Sequence, residues 1–196
     1  MARTGEFSFE QETHTYRLDG QVIPSVTQVL EPLMELEGIR REVLEEAAAF
    51  GTHVHEACAL MLQKRLDWAT LDTRLVPYVS AAKKFVEEAK VVVLRVEHRM
   101  CDPVLRVAGT LDLLGVIDRS TGIFDWKSSA VMSKTTGLQL AGYDHLHRRS
   151  LGGRPLKRFG VQLRADGDYR LFEYKDPRDQ NWFFSALNLW HWKESR

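Results

Sequence analysis

Hydrophobic and polar positions alternate over roughly the first 24 residues and then change to a helical spacing. In FSFEQETHTYRLDGQVIPSV, phenylalanines alternate with polar residues and Asp19-Gly20 is a hairpin-turn pair, so short strands are predicted. Ser25 and Gln28 form a capping-box pattern directly after a proline. A short helix is therefore predicted from Val26 to about Met34.

Helical and strand-like segments follow each other along the rest of the chain. The stretch VVVLRVEHRMCDPVLRVAGTLDLLGVIDRSTGIFDWKSS is dense in Val, Leu and Ile and predicts three consecutive strands. KRFGVQLRADGDYRLFEYK predicts a second hairpin with an Asp166-Gly167 turn. The predicted helices run from about Ile39 to Leu66, from about Leu75 to Lys90, over GLQLAGYDHLHRRS, and from Asp179 to about Trp192.

This order of elements predicts an α/β fold with a central mixed β-sheet flanked by α-helices. No repeat or low-complexity linker divides the sequence, so a single domain is expected over residues 1–196. Within it, residues 1–38 would form the N-terminal β-hairpin and short helix. Residues 39–196 would form the core, the C-terminal hairpin and the last helix.

Composition narrows the cellular setting more than the function. Lys plus Arg equals Asp plus Glu at 27 each, so any nucleic-acid contact must come from a local basic surface. The two cysteines are too few for a disulfide framework or a four-cysteine cluster and are expected to be reduced. The chain lacks an apolar run of about 20 residues and its acidic start does not resemble a signal peptide, so a cytoplasmic protein is expected.

Acidic residues lie inside apolar, strand-like runs, where an unpaired carboxylate is costly to bury. Asp112 lies in one such run and Asp125 in the next, with Lys127 two residues on and therefore on the same strand face. Glu97 follows in a Val-rich stretch one strand earlier. The simpler interpretation is that Asp125 and Lys127 form a surface ion pair and that Glu97 is solvated. Converging acids beside a lysine instead suit a hard divalent cation.

Such an acidic cluster is suited to phosphodiester hydrolysis. Its carboxylates would hold Mg²⁺ or Mn²⁺, as one or two ions, against the scissile phosphate and lower the pKa of a bound water. Lys127 would orient or help deprotonate the attacking water, or offset charge in the transition state.

Five motifs in chain order resemble the PD-(D/E)XK nuclease superfamily. Asp112 followed by Asp125-Trp126-Lys127 resembles its D…(D/E)-x-K motif. The other four resemble motifs of its RecB-like branch, which includes phage-type and mitochondrial-genome-maintenance-like exonucleases. They are GTHVH (Gly51–His55), Glu97 on the first core strand, GTLD (Gly109–Asp112) and QLAGY (Gln139–Tyr143).

The resemblance implies a restriction-endonuclease-like fold and a set of site residues. Without it, His55 would be interpreted as an ordinary helical histidine. Members of the branch with an iron–sulfur cluster use four cysteines, so this chain is expected to have no such cluster. The implied metal ligands are His55, Asp112, Asp125 and the carbonyl of Trp126. The implied catalytic residues are Lys127, Asp112, Asp125 and Glu97, with Gln139 and Tyr143 holding Lys127 and the phosphate backbone.

The segment from His145 to Ala165 is basic and contains no Asp or Glu. It could be a solvated charged face, as charge runs commonly are. Because it directly follows the QLAGY motif, we favour a phosphate-tracking wall of a DNA groove beside the metal site. The predicted DNA-binding residues are Arg148, Arg149, Arg154, Lys157 and Arg158.

Two classes of function fit these features. The first is a Mg²⁺- or Mn²⁺-dependent deoxyribonuclease, an exonuclease acting on linear DNA with free ends in recombination, repair or phage DNA processing, with a recombination protein as an expected partner. The alternatives are a nuclease-fold protein that binds DNA or a protein partner without cleavage, or a structure-specific endonuclease. The intact set of His55, Asp112, Asp125 and Lys127 favours the enzyme.

The hairpin register decides whether the acids can meet. Asp112 shares a sheet face with Asp125 and Lys127 only if paired residue numbers add up to an odd total. We predict a four-residue loop from Asp118 to Thr121, which pairs Ile117 with Gly122 and places Asp112 opposite Lys127.

Overall fold

The computed structural model describes residues 5–34 and 40–195. The predicted start of the second helix at Ile39 and the boundary between residues 38 and 39 lie at positions outside the described residues. In the described part, no helix combines the length and the apolar character that a membrane crossing requires.

The N-terminal segment forms a small antiparallel sheet of strands β1 (Phe7–Glu10), β2 (Thr15–Leu18) and β3 (Gln21–Ile23). Helix α1 (Val26–Leu30) follows, and its first turn has the predicted capping box between Ser25 and Gln28. The helix is shorter than predicted because the chain changes to a 3₁₀ turn at residues 31–33. Pro32 lies there, and its missing N–H cannot continue the α-helical hydrogen bonds.

The remaining predicted elements are all present, with boundaries within a few residues of the expected ones. Parallel pairing of the third and fourth core strands requires a crossover, which the fourth helix supplies. The elements are α2 (Arg41–Leu62), α3 (Val76–Glu88), β4 (Val92–Asp102), β5 (Val107–Ile117), β6 (Ser120–Lys127), α4 (Thr135–Leu151), β7 (Lys157–Leu163), β8 (Tyr169–Glu173) and α5 (Arg178–Glu194).

The five core strands form one mixed sheet in the order β4-β5-β6-β7-β8, with only the β6–β7 pair parallel. One hydrophobic core lies between this sheet and helices α2 and α3, and a second lies between the sheet and helices α1, α4 and α5. The fold is therefore the expected mixed sheet flanked by α-helices. Among the largest fully buried side chains are Phe85, Phe124 and Trp126 in the first core, and Leu111, Leu140 and Phe183 in the second.

The β5–β6 hairpin has the required parity but not the predicted loop. Ile117 pairs with Ser120, and the paired numbers add up to an odd total throughout the ladder. The turn has two residues, Asp118 and Arg119, with φ of 47° and 61°. Two left-handed residues form the type of turn whose twist matches the strands of a hairpin. Continuing this register places Asp112 opposite Asp125 and not, as predicted, opposite Lys127.

Candidate active site

Strands β5 and β6 separate where the two aspartates lie. Their ladder runs from the turn up to the Leu113–Phe124 pair. Beyond this pair, Ala108 of β5 forms a parallel bridge with Ser25, just before α1. Strand β6 instead continues beside β7 as far as Lys127. The opening between the two strands, with Asp112 and Asp125 at its apex, is called the β5–β6 wedge below.

Asp112 closes the apex with its side chain. Its Oδ2 accepts a hydrogen bond of 2.8 Å from the Trp126 backbone N–H, in the place of a backbone acceptor. The N–H and C=O of a strand residue point to the same side. The Trp126 carbonyl, predicted as a metal ligand, therefore faces the wedge. The Trp126 ring is buried in the core against α2 and α3, which anchors this part of β6.

His55 brings an imidazole from α2 into the wedge. Its Nδ1 lies 2.9 Å from Asp112 Oδ1. Burial disfavours the charged ring, but the nearby Asp112 and Asp125 carboxylates outweigh it and raise the pKa of His55 to about 9. At neutral pH an imidazolium therefore lies against the Asp112 carboxylate, where it supplies positive charge.

Lys127 and Gln139 enclose the second carboxylate. Lys127 Nζ lies 2.7 Å from Asp125 Oδ2 and donates to Gln139 Oε1 at 2.8 Å. The Gln139 amide in turn donates to Asp125 Oδ1 at 3.0 Å. Burial raises the pKa of Asp125, and the neighbouring Asp112 adds to this effect while Lys127 opposes it.

Tyr143 supports Gln139 from one turn further along α4. Its hydroxyl accepts a hydrogen bond of 3.1 Å from the Gln139 amide, and the side chain is buried. Burial raises the pKa of Tyr143 well above its usual value, so its phenol stays neutral. Gly109 allows this close packing, because a Cβ there would lie 2.8 Å from Tyr143 Cε1.

Glu97 lies opposite Asp112 in a kinked part of β4. Val96 pairs with Leu113 and His98 with Leu111, and Glu97 between them has φ of 49°. A non-glycine residue in this conformation is strained, and such residues are concentrated at functional sites. Burial, with the Asp112 charge beside it, raises the pKa of Glu97 to about 7.

These side chains line a cleft of about 650 Å³. Helix α2 forms one wall with Ala48, Gly51 and Thr52, and the N-terminal sheet forms the other. The second wall was not predicted from the sequence, because its strands lie far from the acidic motifs along the chain. The sequence signal that could have indicated this wall was the presence of Glu97 and Arg99, two residues apart, on one predicted strand. The additional lining residues include Phe9, His14, Tyr16, Arg99 and Thr110.

The chemical types of the possible ligand atoms suit a hard divalent cation. The buried Asp125 Oδ2 accepts no hydrogen bond from the described residues, although the Lys127 ammonium is close. Carboxylate and carbonyl oxygens with one imidazole suit Mg²⁺ or Mn²⁺. In the described ranges, no three His, Cys, Asp or Glu side chains are arranged around one point. His55 and Lys127 instead pair with the acids directly.

Arg148 and Lys157 of the basic segment lie away from the wedge, contrary to the expected position beside it. Arg148 follows Gln139 by nine residues along α4, about 14 Å of helix axis. Lys157 pairs with Gly122, five residues before Lys127 and about 16 Å along the strand. Arg148 and Arg149 form ion pairs with Asp144 and Asp102, respectively. Arg154 and Lys157 are exposed at this far end, and their contact with DNA stays a prediction.

Arg158, predicted to contact DNA, is held within the fold by its side-chain contacts. Its side chain is 10% exposed and forms an ion pair of 3.1 Å with Asp179. It also donates to the carbonyls of Gly137 at 3.3 Å and Asp176 at 2.8 Å. The guanidinium therefore joins β7, α4 and the start of α5, and has a structural role.

Solved structures with a similar fold include two described as exonucleases. A candidate exonuclease from Eubacterium rectale matches with a TM-score of 0.48 and 13% identity, over 73% of this chain and 64% of that one. The chain thus spans less than two thirds of that structure's length. An alkaline exonuclease from Laribacter hongkongensis matches with a TM-score of 0.44 and 10% identity, over 86% of each chain.

No protein-family model matches the sequence, and no curated protein matches it significantly. The roles given below to individual residues therefore come from the motifs and the geometry of this chain.

Proposed function

We propose that this chain is a metal-dependent DNA nuclease, specifically an exonuclease that hydrolyses phosphodiester bonds at DNA ends. The observation that carries the proposal is the β5–β6 wedge, where buried Asp112 and Asp125 meet His55 and Lys127. Burying several charges costs desolvation free energy that well-packed apolar residues would avoid. A charged cluster in a cleft between strands is typical of a catalytic site.

Asp112, Asp125, His55 and the Trp126 carbonyl would hold Mg²⁺ or Mn²⁺. The burial of the Asp112 and Asp125 carboxylates in the wedge and the orientation of the Trp126 carbonyl support this ligand set. A bound divalent cation supplies Lewis-acid polarisation of the phosphate and a more acidic water. Cation binding would take over the positive charge that the His55 imidazolium provides in the apo chain.

The other residues would position the reactants. In the reaction, a water oxygen bonds to phosphorus and the P–O ester bond breaks, which leaves a phosphate monoester and a hydroxyl end. Lys127 would donate to a phosphate oxygen and compensate charge that develops in the transition state. Gln139 would keep the ammonium in place, with Tyr143 fixing the amide. Glu97 would orient the attacking water.

The biological setting is inferred from the RecB-like motifs. We infer that the substrate is linear DNA with free ends, in recombination, repair or phage DNA processing in the cytoplasm. A recombination protein is a partner that this role would accommodate. The near-neutral overall charge is compatible with a nuclease whose substrate contacts are confined to the cleft.

End-labelled DNA provides the test. Linear and closed circular substrates, each single- and double-stranded, are incubated with the protein in Mg²⁺, Mn²⁺ or EDTA. We expect loss of linear DNA in either metal, none in EDTA, and intact circles. Cleavage of circles would indicate an endonuclease. Binding without cleavage in either metal would support the non-cleaving alternative.

A further inference from the structure

The N-terminal sheet is attached to the catalytic strand at defined points. The hydroxyls of Tyr16 and Thr110 form a hydrogen bond of 2.7 Å, and the Ala108 N–H donates to the Pro24 carbonyl at 2.9 Å. Tyr16 is 1% exposed. Because Thr110 lies two residues before Asp112, this wall of the cleft has a fixed position relative to the acids.

Arg99 extends from β4 onto this wall, and its side chain is exposed in the cleft. Its Cζ lies 4.3 Å from the centroid of the Phe9 ring, which is a cation–π contact. The Phe9 ring is held in turn by Tyr16, at 4.7 Å between centroids, and by His14, edge-on at 5.0 Å. The guanidinium is therefore oriented by an aromatic face.

This contact leaves the hydrogen-bonding edge of Arg99 available. Stacking uses the face of a guanidinium, while its N–H donors point outward in the plane. Within residues 5–34 and 40–195, no side chain or carbonyl forms a hydrogen bond or ion pair with this guanidinium. A planar fork of donors with fixed orientation is suited to bidentate binding of a phosphate.

We propose that Arg99, oriented by Phe9, binds a backbone phosphate next to the scissile one and that the cleft admits unpaired nucleotides of one strand. The proposal rests on the proposed function in taking the cleft as a nucleic-acid site. Its volume of about 650 Å³ is that of a small-ligand pocket, about 300–1,000 Å³, which suits a few nucleotides better than a duplex. Arg99 is thus a substrate-binding residue and Phe9 a positioning residue.

The test measures binding of a fluorescein-labelled 12-nucleotide oligo(dT) by anisotropy in Ca²⁺, with gel analysis to verify probe length. Ca²⁺ is used because, as a hard cation, it binds the carboxylate oxygens of the site. We expect Arg99→Gln to weaken binding about tenfold and to lower the salt slope by about 0.7. Arg99→Lys keeps the charge without the planar fork and should recover part of the affinity. Arg17→Gln, on the N-terminal sheet but outside the cleft lining, is the matched control and should bind like wild type.

Phe9 variants separate positioning from folding. Phe9→Leu should weaken binding, whereas Phe9→Tyr keeps the ring and should restore it, with thermal unfolding measured for both. A duplex of the same length should bind the wild type more weakly than the single strand.

Equal binding by Arg99→Gln and Arg17→Gln would overturn the phosphate assignment, and preference for duplex would overturn the strand assignment. A wild type that binds but never cleaves in Mg²⁺ would refute the nuclease while leaving the phosphate and strand assignments of this inference standing. A wild type that does not bind the oligonucleotide would overturn this inference whatever its cleavage activity.

Discussion

Arg158 provides a test of the structural role assigned to part of the basic segment. Arg158→Met keeps much of the side-chain length but removes the donors to Asp179 and to two backbone carbonyls. Asp179 is 14% exposed, so its carboxylate would stay largely buried without a partner. Removing one partner of a buried pair costs about 3–5 kcal/mol, and the residual exposure here places the expectation near 3 kcal/mol.

Urea unfolding followed by tryptophan fluorescence measures this loss. With a slope of about 2 kcal/mol/M, the midpoint should fall by about 1.5 M. Lys157→Met on the same strand is exposed and is the control, with an expected change within about 0.5 kcal/mol. Adding Asp179→Asn to Arg158→Met should restore part of the stability, because it removes the unpaired charge. Equal stability of Arg158→Met and Lys157→Met, with weaker DNA binding by the former, would refute the structural role.

Three further predictions concern stability. Arg119→Gly should raise the melting temperature by about 1–3 °C, because the left-handed φ of 61° costs a side chain free energy that glycine avoids. Mn²⁺ at a hundredfold excess over its dissociation constant should stabilise wild type by about 2.7 kcal/mol, and Asp125→Asn should lose this gain in a thermal-shift assay. For Asp102, burial raises the carboxyl pKa, but two backbone N–H donors and His145 outweigh it and lower the net value. Wild type should therefore be more stable than Asp102→Asn above about pH 4, and this difference should decline as the pH falls below that value. Urea titrations at several pH values measure it.

The sheet and the acidic cluster could be predicted because local patterns encode them. Alternation and turn residues identified the strands, and the parity of the hairpin followed from requiring Asp112 and Asp125 to share a face. The loop length could not be read in the same way. Asp118 and Arg119 both take positive φ without the Asn-Gly pair that usually marks such a turn, so the sequence carried a weaker signal.

Contacts between distant segments were beyond sequence reasoning. Arg158 resembles its basic neighbours in sequence, and its burial depends on β7 lying between β6 and β8 with α4 and α5 on one face. The wall formed by Phe9 and Arg99 likewise depends on the Tyr16–Thr110 contact, which joins residues 94 positions apart. Composition and spacing contain no information on either arrangement.

The most direct test of the central claim is single-turnover cleavage of end-labelled linear DNA in Mg²⁺ by three proteins: wild type, Asp125→Asn and Asp118→Asn. Asp118 lies exposed in the hairpin turn, so its variant is a charge-matched control. We expect wild-type rates for Asp118→Asn and a loss of about a thousandfold or more for Asp125→Asn, equivalent to about 4 kcal/mol of transition-state stabilisation. Cleavage at equal rates by both variants would contradict the assignment of the β5–β6 wedge as the catalytic site.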